Sequence, residues 1–314
     1  MKKVVVTGGA GFIGSHLCDA LIKKDYQVIC VDNLITGSEN NIKHLKENKN
    51  FRFLKLDVIK DEIKEKDIDY IFHLASPASP IDYQKYPEET ALVNSVGTIN
   101  ILNLARKSGA RILIASTSEV YGDPKEHPQK ETYWGNVNPF GPRSCYDESK
   151  RFAETMTYIY IHQYGVDARI VRIFNTYGPR MKKDDGRVIS NFINQAIEGR
   201  PLTVYGKGDR TRSFCYVSDM VGGIVEAMFA EGLTGEIINL GKPEEYKILD
   251  LAKKIKKLAG SKSKIVFKPP LPDDPEQRRP DISKAKKLLK WQPKVSVNEG
   301  LRKTIEYYRS LKKN

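Results

Sequence analysis

Long apolar runs are missing from this chain. The longest, such as the stretch ending at Val6 and the one from Ile112 to Ala115, fall far short of the roughly 20 residues of a membrane-spanning helix, so no membrane span is expected. Cysteine is scarce, and Cys18, Cys30, Cys145 and Cys215 stand far apart with no paired spacing. That excludes a zinc site or a disulfide framework and leaves reduced thiols; no metal is expected. Nothing resembles a signal peptide either, because Met1-Lys2-Lys3 passes directly into a strand and a glycine loop, and a cytoplasmic location is expected. Internal repeats and low-complexity tracts are absent. Acid is short relative to base, with 39 Asp and Glu against 52 Lys and Arg and a net charge of +13. Much of that excess lies in the pairs Lys253-Lys254, Lys256-Lys257 and Lys286-Lys287, a pattern of solvated helix faces. A nucleic-acid partner is therefore not expected, whereas a small anionic substrate would be drawn to such a surface.

What the chain does have is size and rhythm. Its 314 residues, 40% of them hydrophobic, suffice for a large core and a second lobe. KVVVTG, QVICVD, FRFLKLD, YIFHLAS, RILIAST and ARIVRIFN are strand candidates, each followed by a longer amphipathic stretch. Near-continuous apolar strands alternating with helices predict an α/β fold, a doubly wound parallel sheet covered on both faces. After Tyr177-Gly178-Pro179 the chain turns to loops and short elements, with a Pro-rich stretch from Lys268 to Pro280. We expect residues 1–176 and 214–242 to form a nucleotide-binding domain of Rossmann type, and 177–213 and 243–314 a smaller C-terminal substrate lobe.

Three local patterns carry chemistry. Gly9, Gly11 and Gly14 follow the first strand and open a helix, as a dinucleotide fingerprint requires: a tight turn and a close pyrophosphate both exclude a Cβ, and the helix N-terminus faces the phosphates. At the end of the second strand stands Asp32, 18 positions beyond Gly14, where an acid binds the ribose and repels a 2′-phosphate, which favours NAD over NADP as the expected cofactor. Tyr146 and Lys150, spaced i, i+4 at the start of a predicted helix, share one face, where ammonium and a positive nicotinamide ring both favour phenolate. Ser118-Glu119, finally, sets a charge where a buried strand ends. Such a charge must reach solvent, join a network or do chemistry.

Taken with TGGAGFIGSH, HLASPASP, ASTSEVYGDP, HPQKETYWGNVNP, SCYDESKR, RIFNTYGPRM, DDGRVISNF, TVYGKGDRTRSF and DDPEQRRPDISKA, these patterns make the chain resemble the extended short-chain dehydrogenase/reductases over nearly its whole length. Within them it is closely similar to the UDP-glucuronate decarboxylases. Many eukaryotic members carry an N-terminal membrane anchor, which the resemblance does not extend to here. It implies NAD-dependent conversion of UDP-glucuronate to UDP-xylose and CO2, in which oxidation at carbon 4 makes a β-keto acid that loses CO2. Tyr146 is then the base, Lys150 holds the cofactor ribose and keeps the phenol acidic, and Thr117 or Ser118 steadies the enolate oxygen. Relatives that dehydrate the sugar place Asp where Ser118 stands. A second carboxylate there would cost roughly 4 kcal/mol of repulsion at 4 Å and an effective dielectric near 20.

Glu119 is expected to position the ring or relay a proton, unless it is a solvated loop-edge acid. Arg278 is expected to orient the substrate carboxylate, unless it pairs with Asp273 or Asp274; choosing it over Arg279 rests on the resemblance alone. The resemblance further implies Gly8, Gly11, Phe12, Ile13, Asp32, Asn33, Thr36, Gly37, Asp57, Val58, Leu74, Ala75, Ser76 and Thr176 for the cofactor. For the sugar nucleotide it implies Tyr83, Asn175, Arg187, Val188, Asn191, Thr203, Tyr205, Arg212 and Arg278. Two helices, about 87–108 and 147–164, are similar to those that pair as a four-helix dimer contact in relatives; their apolar positions equally suit packing on the sheet. Alternatives remain a UDP-glucuronate 4-epimerase, an oxidative decarboxylase releasing a 4-keto pentose, and a non-catalytic basic RNA-binding protein, which intact Tyr146 and Lys150 disfavour.

Overall fold

The computed structural model describes residues 1–270 and 275–311. All six expected strands form: β1 (Lys3–Thr7), β2 (Gln27–Val31), β3 (Phe51–Leu54), β4 (Tyr70–His73), β5 (Arg111–Thr117) and β6 (Ala168–Ile173). A seventh, Ile237–Leu240, was not among the candidates; it joins the outer edge of β6. Asn239 interrupts its apolar run and hides it from a hydrophobicity reading. That side chain is buried, accepting from Tyr121 Oη at 2.8 Å and donating to the Gln129 carbonyl at 3.1 Å. The spatial order is Ile237–Leu240, β6, β5, β4, β1, β2, β3, with every pairing parallel.

Alternation along the strands divides the core in two. Val4, Val6, Val28, Cys30, Phe72 and Leu113 face one layer, whereas Val5, Ile29, Ile71, Ile112 and Ile114 face the other. This is why the strands read as unbroken apolar runs: both faces are covered. The first layer is closed by α1 (Phe12–Ile22) and the helix Val217–Phe229, the second by the helices Thr98–Ser108 and Ser144–Tyr164. The last begins at Ser144, earlier than the sequence pattern suggests. Beyond β6, the strands Glu245–Lys247, Thr211–Ser213 and Gln277–Arg278 make a small sheet, and Ile265–Lys268 pairs with Leu202–Tyr205. The helices Val188–Ile197, Ile248–Leu258 and Val297–Ser310 pack around them. The chain order reverses between β1 and β4, opening a crevice at the carboxyl ends of the strands, the place where ligands bind in such sheets. Among the described residues no helix is long and apolar enough to cross a membrane.

Candidate active site

One cleft of about 850 Å³ occupies that crevice and runs toward the small sheet. The cofactor, substrate and catalytic residues expected from the sequence line it, apart from Gly9 and Gly37. Gly37 lies against the Asp32 carboxylate, where a Cβ would come within 2.8 Å of Oδ1. Its part is to let that acid sit in place. Asp32 accepts from the Ala10 amide at 3.0 Å and the Leu34 amide at 2.8 Å, and burial raises its pKa while these amides oppose the rise.

The glycine loop is shaped by close approach. A Cβ on Gly14 would lie 2.1 Å from the Gly8 carbonyl oxygen. Helix α1 starts at Phe12 with no capping side chain and no acid in its first turn, so its N-terminal amides meet the cleft at Phe12 and Ile13 as an open anion site. Leu74, Ala75 and Ser76 wall it from β4, Ala75 donating to Thr7 Oγ1 at 3.3 Å. On the far side, Asn33 accepts from the Ile35 amide at 3.0 Å, and Asp57 from the Ile59 amide at 3.0 Å beside Val58. These uncapped amides and the ribose-type acid form a donor set that fits NAD.

The reactive side chains come from β5 and the helix beside it. Tyr146 is 5% exposed and stacks on Tyr83 with ring centres 5.1 Å apart. Burial pushes its pKa up to about 12, a hydrogen bond with Thr117 pulling the other way. Lys150, also buried, donates to the Ala115 carbonyl at 2.8 Å, with Nζ 5.9 Å from the Tyr146 ring centre. Burial lowers its pKa to about 8. Burial of the phenol is thus the effect that a cation beside it has to oppose.

Ser118-Glu119 resolves into a network. Thr117 ends β5 and its hydroxyl accepts from the Glu119 amide at 3.2 Å. Glu119 Oε1 accepts from Ser118 Oγ at 3.4 Å and from Arg278 Nη1 at 2.9 Å, and Oε2 accepts from Arg143 Nη2. It is not a solvated loop-edge acid. Burial works to raise its pKa, but the guanidiniums of Arg278, Arg143 and Arg212 outweigh that and hold it well below the usual range.

Arg278 is 1% exposed and donates in addition to the Ser118 carbonyl and, at 2.8 Å, to the Gly122 carbonyl. Asp273 and Asp274, the other partners considered for it, lie outside the described residues. Arg279 points elsewhere: its amide donates to Gln129 Oε1 and its Nη1 is 3.8 Å from Glu245. Strand pairing sets Arg278 beside Arg212, in register across Gln277–Arg278 and Thr211–Ser213. Arg212 itself donates to the Thr211 and Pro275 carbonyls.

Arg187 precedes the helix Val188–Ile197 and is held in a fork by the buried Asp185, at 2.5 and 2.7 Å. Asn191 donates to the Gly186 carbonyl, and Thr203 is tied to Gln195 by two hydrogen bonds. Asn175, Thr176, Val188 and Tyr205 complete the wall with Thr36 opposite. Sequence reasoning missed Arg143, Asp147 and Asp185. Arg143 and Asp147 stand i, i+4 with Nε 3.7 Å from Oδ2, and Asp185 stands two residues from Arg187, so spacing held a signal for each. No group of His, Cys, Asp and Glu among the described residues is placed to hold a metal ion.

A doubly wound sheet, a phosphate cradle with a ribose acid, and a Tyr/Lys pair beside it define a nucleotide-cofactor enzyme of the dehydrogenase class. The model of the GDP-mannose 4,6 dehydratase family matches residues 5–304, and the chain belongs to this family of extended short-chain dehydrogenase/reductases. Within it, the chain is 54% identical over 307 residues to UDP-glucuronic acid decarboxylase 1 of Danio rerio, spanning 98% of this chain and 72% of that one. UDP-glucuronic acid decarboxylase 1 of Arabidopsis thaliana is 53% identical over 98% of this chain and 70% of its own length. A solved structure of UDP-glucuronic acid 4-epimerase from Bacillus cereus, in complex with UDP-glucuronic acid and NAD, superimposes with a TM-score of 0.90 at 33% identity, covering 98% and 99% of the two chains.

Proposed function

We propose that the protein is a carboxy-lyase that converts UDP-glucuronate to UDP-xylose and CO2 with recycled NAD. The observation that carries the reading is the Glu119–Arg278 pair locked beside Thr117 in the wall of the cleft that Tyr146 also lines, in a chain 54% identical to a UDP-glucuronic acid decarboxylase. When bound, NAD would supply an acceptor for the carbon-4 hydride and then give that hydride back; between the two the 4-keto acid loses CO2 and carbon 5 takes up a proton. Tyr146 takes the carbon-4 hydroxyl proton and, once protonated, shares the enolate oxygen with Thr117 and Ser118. The phenol has to enter that step as phenolate, which burial opposes and which Lys150 and a positive nicotinamide ring would favour. Lys150 positions the cofactor ribose, and Gly8, Gly11, Phe12, Ile13, Asp32 and Leu74 to Ser76 hold the rest. Glu119 stays ionised at the carbon-5 side and Arg278 fixes it there. Asn175, Arg187, Val188, Asn191, Thr203, Tyr205 and Arg212 take the UDP, forked guanidiniums suiting a diphosphate.

In this reading residues 1–176 and 214–242 carry the cofactor and the remaining segments carry the sugar nucleotide. The protein is a cytoplasmic homodimer: four unpaired cysteines support the compartment, and Leu92, Val96, Phe152 and Tyr158, left exposed along 87–108 and on Ser144–Tyr164, support the subunit contact. Epimerisation shares the first oxidation, but 54% identity to a decarboxylase against 33% to an epimerase favours the lyase. Incubation with UDP-glucuronate, followed by proton NMR, should give UDP-xylose and an equivalent of CO2. UDP-galacturonate as product, or a 4-keto pentose with stoichiometric NADH, would replace this reading with one of its rivals.

A further inference from the structure

Tyr146, Lys150 and Glu154 lie one turn apart on one face of the helix Ser144–Tyr164, and each meets the end of β5. Tyr146 shares a hydrogen bond with Thr117, Lys150 donates to the Ala115 carbonyl, and Glu154 Oε1 accepts from Ser116 Oγ at 2.5 Å. Tyr146, Lys150, Ser116 and Thr117 line the cleft, whereas Glu154 stands behind it at 12% side-chain exposure. There Arg172 of β6, directly opposite Ser116 in the strand register, holds the carboxylate in a fork, Nε to Oε1 at 2.9 Å and Nη2 to Oε2 at 2.7 Å. Its Nη1 donates to Tyr121 Oη at 2.9 Å, and Tyr121 donates on to Asn239 at 2.8 Å. Glu154 thus fixes Ser116, and Arg172 fixes Tyr121. Between those two anchors lie Thr117, Ser118 and Glu119, the reactive part of the bend. A buried pair of this kind adds little net stability, because desolvation offsets much of its attraction. Its effect here is on position and on charge.

We propose that Glu154, paired with Arg172, is a positioning residue for the oxidation at carbon 4, clamping both ends of the segment 116–121 from behind the cleft and setting a negative charge one helical turn from Lys150. The inference rests on the function proposed above. Facing Lys150 are Tyr146 and Glu154 on its own helix, the Ala115 carbonyl of β5 and His73 of β4. Burial, with the Lys150 charge added, holds His73 neutral. Glu154 is therefore the acid that supports the ammonium against the burial that lowers the Lys150 pKa to about 8. Without that carboxylate the pKa falls further, and Lys150 gives up its charge at lower pH.

The test is single-turnover reduction of bound NAD by UDP-glucuronate as a function of pH, in the holoenzyme. Glu154→Gln keeps the size of the side chain and an oxygen for Ser116 but removes the charge. The rate should fall roughly tenfold to a hundredfold with UDP affinity kept, and its decline on the alkaline side should begin at lower pH than in wild type. Arg172 is left unpaired in that variant, which endangers folding. Glu154→Gln joined to Arg172→Met leaves neither charge buried alone; it should fold, lose rate and show the alkaline limb displaced in the same direction. Ser116→Ala removes the link to the strand and keeps the carboxylate, so it should lose rate with the limb in place. Rates equal to wild type in every variant, or an alkaline limb unmoved in both variants of Glu154, would overturn the proposal. Failure of the unmodified enzyme to release CO2 from UDP-glucuronate would instead remove the function on which it rests, so the two failures are separable.

Discussion

Tyr146 shows how one side chain is tuned by what surrounds it. Stacked on Tyr83 and 5% exposed, its phenol is held protonated, its pKa pushed up to about 12 by burial against a hydrogen bond with Thr117. Tyr146→Phe keeps the stack and removes only the hydroxyl. Reduction of bound NAD in a single turnover should therefore fall by roughly a hundredfold to ten-thousandfold, with UDP affinity preserved. Comparable loss of UDP affinity would make Tyr146 a structural residue. One position on, Asp147 gives a pH test. Burial first, and then the charge of Glu119, raise its pKa from 3.8 to about 7, Arg143 and Arg278 opposing. A carboxyl raised on folding supports the fold fully below its unfolded pKa, and that support is lost as pH rises through about 7. Asp147→Asn abolishes this dependence. Wild type should lose ground to the variant between pH 4 and pH 8 in urea unfolding. A gap that stays constant, or that moves in favour of wild type, would contradict it.

At the scale of elements, the pair formed by the helical stretch 87–108 and the helix Ser144–Tyr164 has two apolar faces. Ile101, Leu102, Ala105, Ala153 and Tyr160 are buried toward the sheet, whereas Leu92, Val96, Phe152 and Tyr158 are 36% to 63% exposed on the other side. Core packing thus takes the inner face, and the subunit contact proposed above would take the outer one. A double variant Phe152→Glu, Tyr158→Glu places charge on the outer face only. It should shift the protein from dimer to monomer in sedimentation with secondary structure retained; a dimer that persists would move the contact elsewhere. The six strands, the glycine loop and the Tyr146–Lys150 pair were legible because each is written in adjacent or helically spaced residues. Ile237–Leu240 was not, since a buried Asn with partners at Tyr121 and Gln129 breaks its pattern. Nor was the grip on Glu119: Arg278 meets Ser118 across 160 positions through a register of two short strands. The need for glycine at position 37 was not legible either, since it is set by the Asp32 carboxylate packed against it.

The whole molecule supports a last prediction. Cofactor and sugar-nucleotide residues line one cleft of about 850 Å³, with the reactive groups between them, so the hydride removed from carbon 4 has its return site in the same enclosure. A reaction that ends with NAD in the form in which it began gives no reason for the cofactor to leave between turnovers. Retention is favoured further by the uncapped start of α1 and by Asp32, held in place by two amides and by the absence of a side chain at Gly37. NAD should therefore co-purify, and turnover should need little or none added. Denaturing the purified protein and assaying the supernatant for nicotinamide gives the occupancy, and a progress curve without added cofactor gives the dependence. A supernatant without nicotinamide, joined to consumption of added NAD in step with CO2, would mean that the hydride does not return. The enzyme would then be the oxidative decarboxylase, and the closed cycle would be wrong even though the fold and the cleft remain as described.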